Sequence, residues 1–361
     1  MKKVNKMVKT LYMCSLQERV GKSFLSIGFI QKLKKEGKKF AYFKPIGCPK
    51  GAFSLKSDKD IDFILKTVYK DKDSYDMVCP ISIPDSYYID LIDADKKLEY
   101  LDEIKSAYEE ISKDVDYVLI EGAPSIRKFV RVGIDDVSIA KSLGIKDLIY
   151  VCSESSDMCI DNIFFTKNYF EFREVNLSAI IFNKIDFEYV PRIKELQKEH
   201  IDKYNIPVLG IIERSIELFS PRVMEVLEAI GGELINEAAT TGLSNTVETI
   251  IIGAMNAQAA LKYLRQVRKA AVITGGDRAD LALAALNEDV SVLILTGFIQ
   301  PDAKVVRVAN EKKIPIILSP SDTYTTMRNL ERLKPGIQED EIQAVLELME
   351  SQINWEYLLK K

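Results

Sequence analysis

The sequence has little histidine: His200 is the only one among 361 residues. It lies in the charged segment 191–204, where an exposed imidazole is the simplest interpretation. A nucleophilic site of the Cys-His or Ser-His-Asp type would have to use this one residue, because each type needs a histidine as base. We therefore expect no hydrolase or amidase centre of these types.

The sequence also has few cysteines, no long apolar run and little net charge, and each of these features argues against a further class of protein. The five cysteines are an odd number and include no Cys-x-x-Cys pair, which argues against a disulfide framework and a zinc site. Apolar runs such as Val290–Leu295 are far shorter than the ~20 residues that cross a bilayer. The net charge of −4 gives no strong attraction to nucleic acid. We expect a cytoplasmic protein with reduced thiols and with neither membrane nor nucleic acid as partner.

What the chain does contain is an alternation of apolar strand-like runs with amphipathic stretches of helical length. Parallel strands need crossover connections, so this order predicts an α/β fold with a mainly parallel sheet and helices on both faces. The first series comprises Val8–Cys14, Lys22–Lys35, Lys39–Phe43, Leu98–Lys113, Tyr117–Ile120, Leu148–Val151, Ile160–Phe172, Leu177–Phe182, Val190–Tyr204 and Val208–Ile212.

A polar break near Glu213 indicates a domain boundary at about residue 215. The alternation restarts after it, which predicts a first domain over 1–215 and a second, smaller α/β domain over 216–330. The second series comprises Thr249–Ile252, Ala257–Leu264, Ala271–Thr274, Asp280–Leu286, Val290–Leu295 and Ile314–Leu318. The remaining 331–361 are expected to form a helical extension, because Glu339–Leu359 has apolar residues at helical spacing. Such a helix packs or dimerises, and we expect a homo-oligomer.

The segment Ser15–Ser23 follows a predicted strand and opens a predicted helix. In this context Val20, Gly21, Lys22 and Ser23 form the end of a phosphate-binding loop: backbone N–H groups and the lysine stabilise phosphate, and the serine hydroxyl ligates Mg²⁺. The first glycine of the usual motif is absent, since Leu16 stands at that spacing. The alternative interpretation is an ordinary helix start with solvated side chains.

Three more positions follow predicted strands at the edge where ligands bind in parallel sheets. Lys44 precedes a rigid Pro45 turn and can steady a phosphate or carboxylate. Asp58 offers a hard oxygen ligand for Mg²⁺, although a helix cap explains it equally well. Glu121 ends an apolar strand, where a carboxylate can hold metal or water.

These motifs, in this order over residues 7 to 213, resemble the dethiobiotin synthetase family of P-loop proteins. The resemblance implies ATP and Mg²⁺ as cofactors, with Lys22 on phosphate, Ser23, Asp58 and Glu121 at the metal, and Lys44 beside the reacting groups as a catalytic candidate. It also implies that Asn183, in Ile181-Phe182-Asn183-Lys184, reads the adenine edge.

The sequence departs from that family where its substrate lies. Pro124 and Ser125 replace the paired glycines that follow the Glu-Gly-Ala motif. Nucleotide binding is expected to survive this change, whereas the family's carboxylation is not.

The second domain resembles the DRTGG domain, which follows a similar P-loop domain in long bacterial phosphotransacetylases. The resemblance is carried by Ile252-Gly253-Ala254-Met255, Ile273–Asp280, Leu295-Thr296-Gly297 and Asp322–Thr326. It implies a regulatory role, and we name a ligand site at Gly276, Asp277, Arg278, Thr296 and Gly297. Backbone donors and the guanidinium suit an anion, and a tight turn with Asp277 and Arg278 paired is the alternative.

Two hypotheses follow. The first is a nucleotide-binding regulatory protein that senses a small-molecule effector and pairs with a separate transferase subunit, because the sequence ends before the acetyl-transferring domain expected from the resemblance. The second is an ATP-dependent ligase or phosphotransferase that activates a small carboxylate, with Lys22, Lys44 and Mg²⁺ stabilising the transferred phosphoryl group.

Overall fold

The structure is a computed structural model that describes residues 8–49, 58–69, 75–84, 88–236, 239–333 and 335–360. Contacts divide the chain into two compact units. Unit 1 comprises Met1–Arg214 together with Gln338–Lys361, and unit 2 comprises Ser215–Ile337. The carboxyl-terminal segment is therefore not the separate extension expected over 331–361, because its greater part belongs to unit 1.

The strands follow the predicted apolar runs closely. The strands among the described residues are β1 Lys9–Cys14, β2 Phe40–Phe43, β3 Ile46–Gly47, β4 Ile81–Ser82, β5 Tyr117–Glu121, β6 Asp147–Cys152, β7 Asn176–Ile185, β8 Val208–Glu213, β9 Glu233–Leu234, β10 Thr249–Ile252, β11 Ala270–Gly275, β12 Val290–Thr296 and β13 Ile316–Leu318. Three short strands (β3, β4 and β9) were not expected from the sequence.

The helices connect these strands, and short 3₁₀ or π turns extend some of them. They are α1 Lys22–Lys35, α2 Lys59–Ile64, α3 Tyr75–Val78, α4 Tyr88–Leu91, α5 Lys97–Ile111, α6 Asp136–Ser142, α7 Met158–Phe172, α8 Val190–Leu196, α9 Ile216–Phe219, α10 Val223–Ile230, α11 Ala239–Gly242, α12 Ala257–Leu264, α13 Ala279–Ala285, α14 Ala303–Lys312, α15 Thr323–Glu331, α16 Ile342–Gln352 and α17 Trp355–Lys360.

Unit 1 is built on a six-stranded sheet in the order β2-β5-β1-β6-β7-β8, with every neighbouring pair parallel. Its strands are apolar on both faces, as expected for a parallel sheet covered by helices. The chain order changes direction around β1, which places the crevice for a ligand at the carboxyl end of that strand. The predicted mainly parallel α/β fold is confirmed.

Unit 2 has a smaller sheet in the order β10-β11-β12-β13-β9, in which only β9 is antiparallel among the described strands. Successive side chains of β11 alternate between two cores, because a strand has a period of two. Val272 packs in the core that includes residues of α12, α13 and α14, whereas Ala271 and Ile273 pack in the core that includes residues of α10 and α15. The second domain is therefore also a three-layer α/β unit.

The single helix predicted over Glu339–Leu359 is two helices, because the chain is extended at Ile353. There it forms an isolated bridge with Gly210 of β8. Helix α16 packs on α1 of its own chain: a Cβ at Gly28 would lie 1.9 Å from Met349 Sδ. Phe29 and Trp355 meet edge to face with ring centroids 5.4 Å apart.

No helix in the described part of the chain is long and apolar enough to cross a membrane. All five cysteines are free and buried. The side chain of His200 is 44% exposed, and its Nε2 lies 3.6 Å from a Glu199 carboxylate oxygen. The histidine thus has the exposed position expected from its charged surroundings.

Candidate phosphate-binding site and second-domain crevice

The loop between β1 and α1 has the backbone of an anion cradle. Arg19 (φ +63°) and Gly21 (φ +88°) both adopt left-handed conformations on either side of Val20. Left-handed residues in such turns produce concavities of N–H groups that bind anions. Glycine is required at position 21 for a second reason, since a Cβ there would lie 2.4 Å from Asn183 Nδ2.

Lys22 is the first residue of α1 and is buried beneath this loop. Its Nζ donates to Ser15 Oγ at 2.6 Å and to the Pro124 carbonyl at 3.3 Å. Burial lowers the pKa of Lys22, and the negative charges of Asp136 and Glu121 oppose that shift. The ammonium is therefore held near the loop by neutral oxygens, which a phosphate can replace.

Asp136 supplies the buried negative charge next to Lys22, and sequence reasoning missed it because no motif surrounds it. Its Oδ1 accepts from the Ala123 N–H at 2.8 Å and from the Tyr12 hydroxyl at 3.1 Å. Its Oδ2 is buried with no hydrogen-bond partner among the described residues. Desolvation raises the pKa of Asp136 to about 6, against the lowering effect of Lys22.

Three side-chain oxygens converge at the start of α1. Ser23 Oγ lies 2.6 Å from Asp60 Oδ2 and 2.9 Å from Glu121 Oε1. A hydroxyl carries one proton and can donate to only one of two carboxylates at a time. The cluster thus holds more acceptor oxygens than the Ser23 hydroxyl can serve.

Glu121 is fixed in this cluster by its position at the end of β5. It is 3% exposed, and its Oε2 accepts from the Ser26 hydroxyl at 3.0 Å and the Tyr42 hydroxyl at 2.9 Å. Its Oε1 faces Ser23 and also lies 3.2 Å from Lys44 Nζ. Oε2 of Glu121 therefore accepts hydrogen bonds from buried hydroxyls, and Oε1 faces the predicted Mg²⁺ site.

Lys44 and Asp58 form a buried ion pair, with Nζ 2.8 Å from Oδ2. Burial alone would lower the pKa of Lys44, but Glu121 and Asp58 raise it well above its ordinary value. Asp58 also caps α2, because its Oδ1 accepts from the Asp60 N–H at 3.1 Å. The capping interpretation of Asp58 is therefore realised, and Asp60, two residues later, lies nearer Ser23.

Among the described residues, no group of three or more His, Cys, Asp or Glu side chains is arranged as a metal site. Such a result is compatible with Mg²⁺, which usually keeps several waters and is bound by one or two carboxylates together with substrate phosphates. The donor set of hydroxyl and carboxylate oxygens at Ser23 suits that hard cation.

The turn after β5 packs on the phosphate loop. Ser125 Oγ donates to the Leu16 carbonyl at 2.5 Å, and the Ile126 N–H donates to the Ser15 carbonyl at 2.8 Å. Lys128 Nζ lies 3.5 Å from a Glu18 carboxylate oxygen. The Pro124-Ser125 replacement therefore gives a turn whose polar groups are engaged by the loop.

In unit 2, the five predicted ligand residues lie at the carboxyl ends of β11 and β12. Gly276 is required by a close approach, because a Cβ there would lie 1.9 Å from the Ile299 carbonyl oxygen. Asp277 and Arg278 are not paired with each other in the described contacts. Arg278 Nη2 donates to the Met255 carbonyl at 2.8 Å, and Nε lies 3.7 Å from Asp280 Oδ1.

The last residue of β12, Thr296, and the residue that follows it, Gly297, make different contacts. Thr296 is buried, and its hydroxyl lies 2.9 Å from Thr323 Oγ1 and 3.3 Å from the Thr274 carbonyl. Gly297 has φ +78°, and its N–H donates to the Ser321 carbonyl at 3.0 Å. Thr296 thus joins the ends of β11 and α15, and Gly297 forms the turn.

Two protein-family models match successive parts of the chain. Residues 9–222 match the model of the AAA domain. The chain belongs to the AAA domain family. Residues 225–333 match the DRTGG domain. The predicted succession of a P-loop domain and a DRTGG domain is therefore confirmed.

The chain is also similar to phosphate acetyltransferases. It is 24% identical to that of Synechocystis sp. over 374 residues, covering 98% of this chain and 52% of the relative. It is 26% identical to that of Nitratidesulfovibrio vulgaris over 367 residues, covering 96% and 51%. The chain spans about half the length of the curated relatives it matches. Among solved structures, the septum site-determining protein MinD of Pyrococcus horikoshii, complexed with Mg-ADP, is 13% identical with a TM-score of 0.38, covering 59% of this chain and 84% of that one.

Proposed function

We propose that unit 1 binds ATP together with Mg²⁺ and that unit 2 gives the protein a regulatory role. The carrying observation is the cluster at Ser23, where one hydroxyl proton serves two carboxylate oxygens, Asp60 Oδ2 and Glu121 Oε1. A divalent cation relieves this shortage, because it neutralises the carboxylates and accepts the hydroxyl oxygen as a ligand.

Each part of the site has a distinct task in this proposal. The loop N–H groups and Lys22 hold phosphate oxygens, with Lys22 exchanging its contacts to Ser15 and Pro124 for the phosphate. Ser23, Asp60 and Glu121 hold the ion, which supplies positive charge to the phosphates. Lys44 keeps Asp58 and Glu121 in place through its ion pairs, at 2.8 and 3.2 Å.

Asn183 is proposed to act on the loop. It is fully buried, and its Nδ2 donates to the Val20 carbonyl at 2.8 Å. Its Oδ1 has no hydrogen-bond partner among the described residues, so any recognition of an adenine amino group by Asn183 would use that atom. In this proposal, the asparagine to which the dethiobiotin synthetase resemblance gives adenine recognition also holds the phosphate loop in shape.

A role in binding is favoured over fast transfer. The turn at Pro124-Ser125, where the resembling synthetases place substrate, is tied to the loop through Ser15 and Leu16. Phosphoryl transfer depends on a positioned acceptor, so nucleotide held here without one is expected to turn over slowly. The similarity to phosphate acetyltransferases supports a regulatory partnership with an acetyl-transferring subunit.

Calorimetric titration of the full chain with ATP, with and without Mg²⁺, tests the proposal. We expect binding that requires Mg²⁺, and Lys22→Ala should weaken it at least about tenfold, or about 1.4 kcal/mol, by removing a charge-assisted phosphate contact. Lys38→Ala, at an exposed lysine beyond α1, is the matched control and should bind as the wild type does. Unchanged affinity in Lys22→Ala would contradict the site.

An assay of ADP formation by the full chain distinguishes the regulatory proposal from an ATP-dependent ligase. Under the regulatory proposal, ADP release stays slow whichever small carboxylate is added. Brisk ADP release that depends on one small carboxylate would instead establish an ATP-dependent ligase or phosphotransferase.

A further inference from the structure

Unit 2 contains two cavities of unlike character that meet at Ile252. One, of about 420 Å³, lies at the carboxyl ends of β10 and β11 and is lined by polar residues that include Thr274, Asp277 and Arg278. The other, of about 300 Å³, is mostly apolar and lies between β10 and α12, with Tyr263 among its lining residues. Ile252 lines both. Together they suit a ligand with one polar end and one flat apolar end.

Two polar groups of the first cavity have no protein partner. Thr274 is 2% exposed, and its Oγ1 makes no hydrogen bond in the described part of the chain. A buried hydroxyl in this state is unfavourable unless a ligand supplies the missing bond. The carboxylate of Asp277 likewise has no hydrogen-bond or ion-pair partner among the described residues, although it lines the same cavity.

Arg278 connects the linings of the two cavities through a hydrogen bond. Its Nη2 donates to the carbonyl of Met255, a residue that lines the apolar cavity, while Arg278 itself lines the polar one. Asp280 lies 3.7 Å from its Nε. These contacts hold the guanidinium in one orientation and leave Nη1 without a protein contact among the described residues. A fixed guanidinium of this kind suits a phosphate.

We propose that these cavities bind a ribonucleotide. The base lies in the apolar cavity against Tyr263, where an aromatic face can stack on it and the Gln266 amide can bond its edge. The ribose hydroxyls donate to the unpartnered carboxylate of Asp277, since a carboxylate at a strand end accepts such hydroxyls well. The phosphate contacts Arg278 and Thr274. This deepens the regulatory role proposed above by naming the class of effector, and it rests on that role.

The test uses the full chain carrying Lys22→Ala, so that the loop of unit 1 contributes as little as possible to binding. The probe is adenosine 5′-monophosphate, titrated by calorimetry beside its 2′-deoxy analogue. We expect the ribonucleotide to bind at least tenfold more tightly than the deoxy analogue. Asp277→Asn should weaken ribonucleotide binding at least tenfold and remove most of that preference, and Arg278→Ala should weaken both ligands.

Thr274→Val separates ligand binding from folding. It should weaken ribonucleotide binding while leaving the melting temperature unchanged or raised, because the hydroxyl it removes has no protein partner. Glu311→Gln and Arg307→Ala, on the exposed face of α14, are controls expected to bind as the parent chain does. No binding at millimolar ribonucleotide, or equal binding by Asp277→Asn, would overturn the inference. The ATP titration of the unmutated chain would stand independently of that result.

Discussion

The side-chain amide of Asn183, near the end of β7, donates a 2.8 Å hydrogen bond to the carbonyl of Val20 in the phosphate loop. The two residues are 163 positions apart in the chain. The bond crosses from one strand of the sheet to the loop that follows another, and Gly21 leaves room for it because a Cβ would meet the amide. The shape of the loop therefore depends on a distant strand.

Replacing that amide should affect both stability and binding. Asn183→Ala leaves the Val20 carbonyl without its partner, so the free energy of unfolding should fall by about 1 to 3 kcal/mol. Mg²⁺-dependent ATP affinity should fall with it, because the loop loses its fixed shape. Asn176→Ala, at an exposed amide on the same strand, is the control. Denaturant unfolding and calorimetry measure the two effects, and normal ATP binding by a folded Asn183→Ala would refute the loop-positioning role.

Changing Asp60 and Asp58 singly to asparagine should distinguish the role of a metal ligand from that of a structural ion pair. Asp60 is exposed and touches Ser23, so Asp60→Asn should cut the Mg²⁺ enhancement of ATP binding at least about tenfold with little change in stability. Asp58→Asn removes one of the two carboxylates beside buried Lys44 and should lower stability by about 2 kcal/mol. The reverse pattern in folded proteins would make Asp58 the metal ligand.

Asp136 should make stability depend on pH in an unusual direction. Its pKa is about 6 in the folded protein against an ordinary 3.8, so the folded state binds the proton more tightly than the unfolded state. That contribution is fully present below about pH 4 and is lost as pH rises through 6, a change of about 3 kcal/mol. Asp136→Asn should lack this loss, whereas Asp102→Asn, at an exposed carboxylate of α5, should keep the wild-type profile. Denaturant midpoints between pH 4 and 7 measure it.

A methyl group added at the contact between helices α1 and α16 should lower the free energy of unfolding. A Cβ at Gly28 would lie 1.9 Å from Met349 Sδ, and Met349 is fully buried. Gly28→Ala should therefore cost about 1 to 3 kcal/mol by overpacking, despite the better helix propensity of alanine. Met349→Ala should be less harmful in the Gly28→Ala background than alone, which a double-mutant cycle of unfolding free energies measures. Additive effects would show that the two side chains do not compete for space.

The bounds of several helices and strands could be predicted from the sequence, because the hydrophobic pattern that indicates them lies in neighbouring residues. The helix Lys22–Lys35 and the strand Thr249–Ile252 have the predicted bounds, since strand and helix periods are written in neighbouring residues. The carboxyl-terminal segment was predicted as one helix and is two. The helix is interrupted at Ile353 because that residue pairs with Gly210. The two residues are 143 positions apart, so no local sequence pattern indicates the pairing.

The α/β class, the two α/β parts and the loop at Ser15–Ser23 could be predicted from contiguous residues, because strand and helix periods, a polar break and a short motif are local properties. Three features could be seen only in the folded chain: Gln338–Lys361 belongs to unit 1, Asp60 rather than Asp58 lies nearest the Ser23 hydroxyl, and Asp136 is buried near Lys22. Each of these features depends on contacts between residues that are far apart in the chain. The burial and the neighbouring charges at those contacts determine the pKa and the binding properties of the side chains.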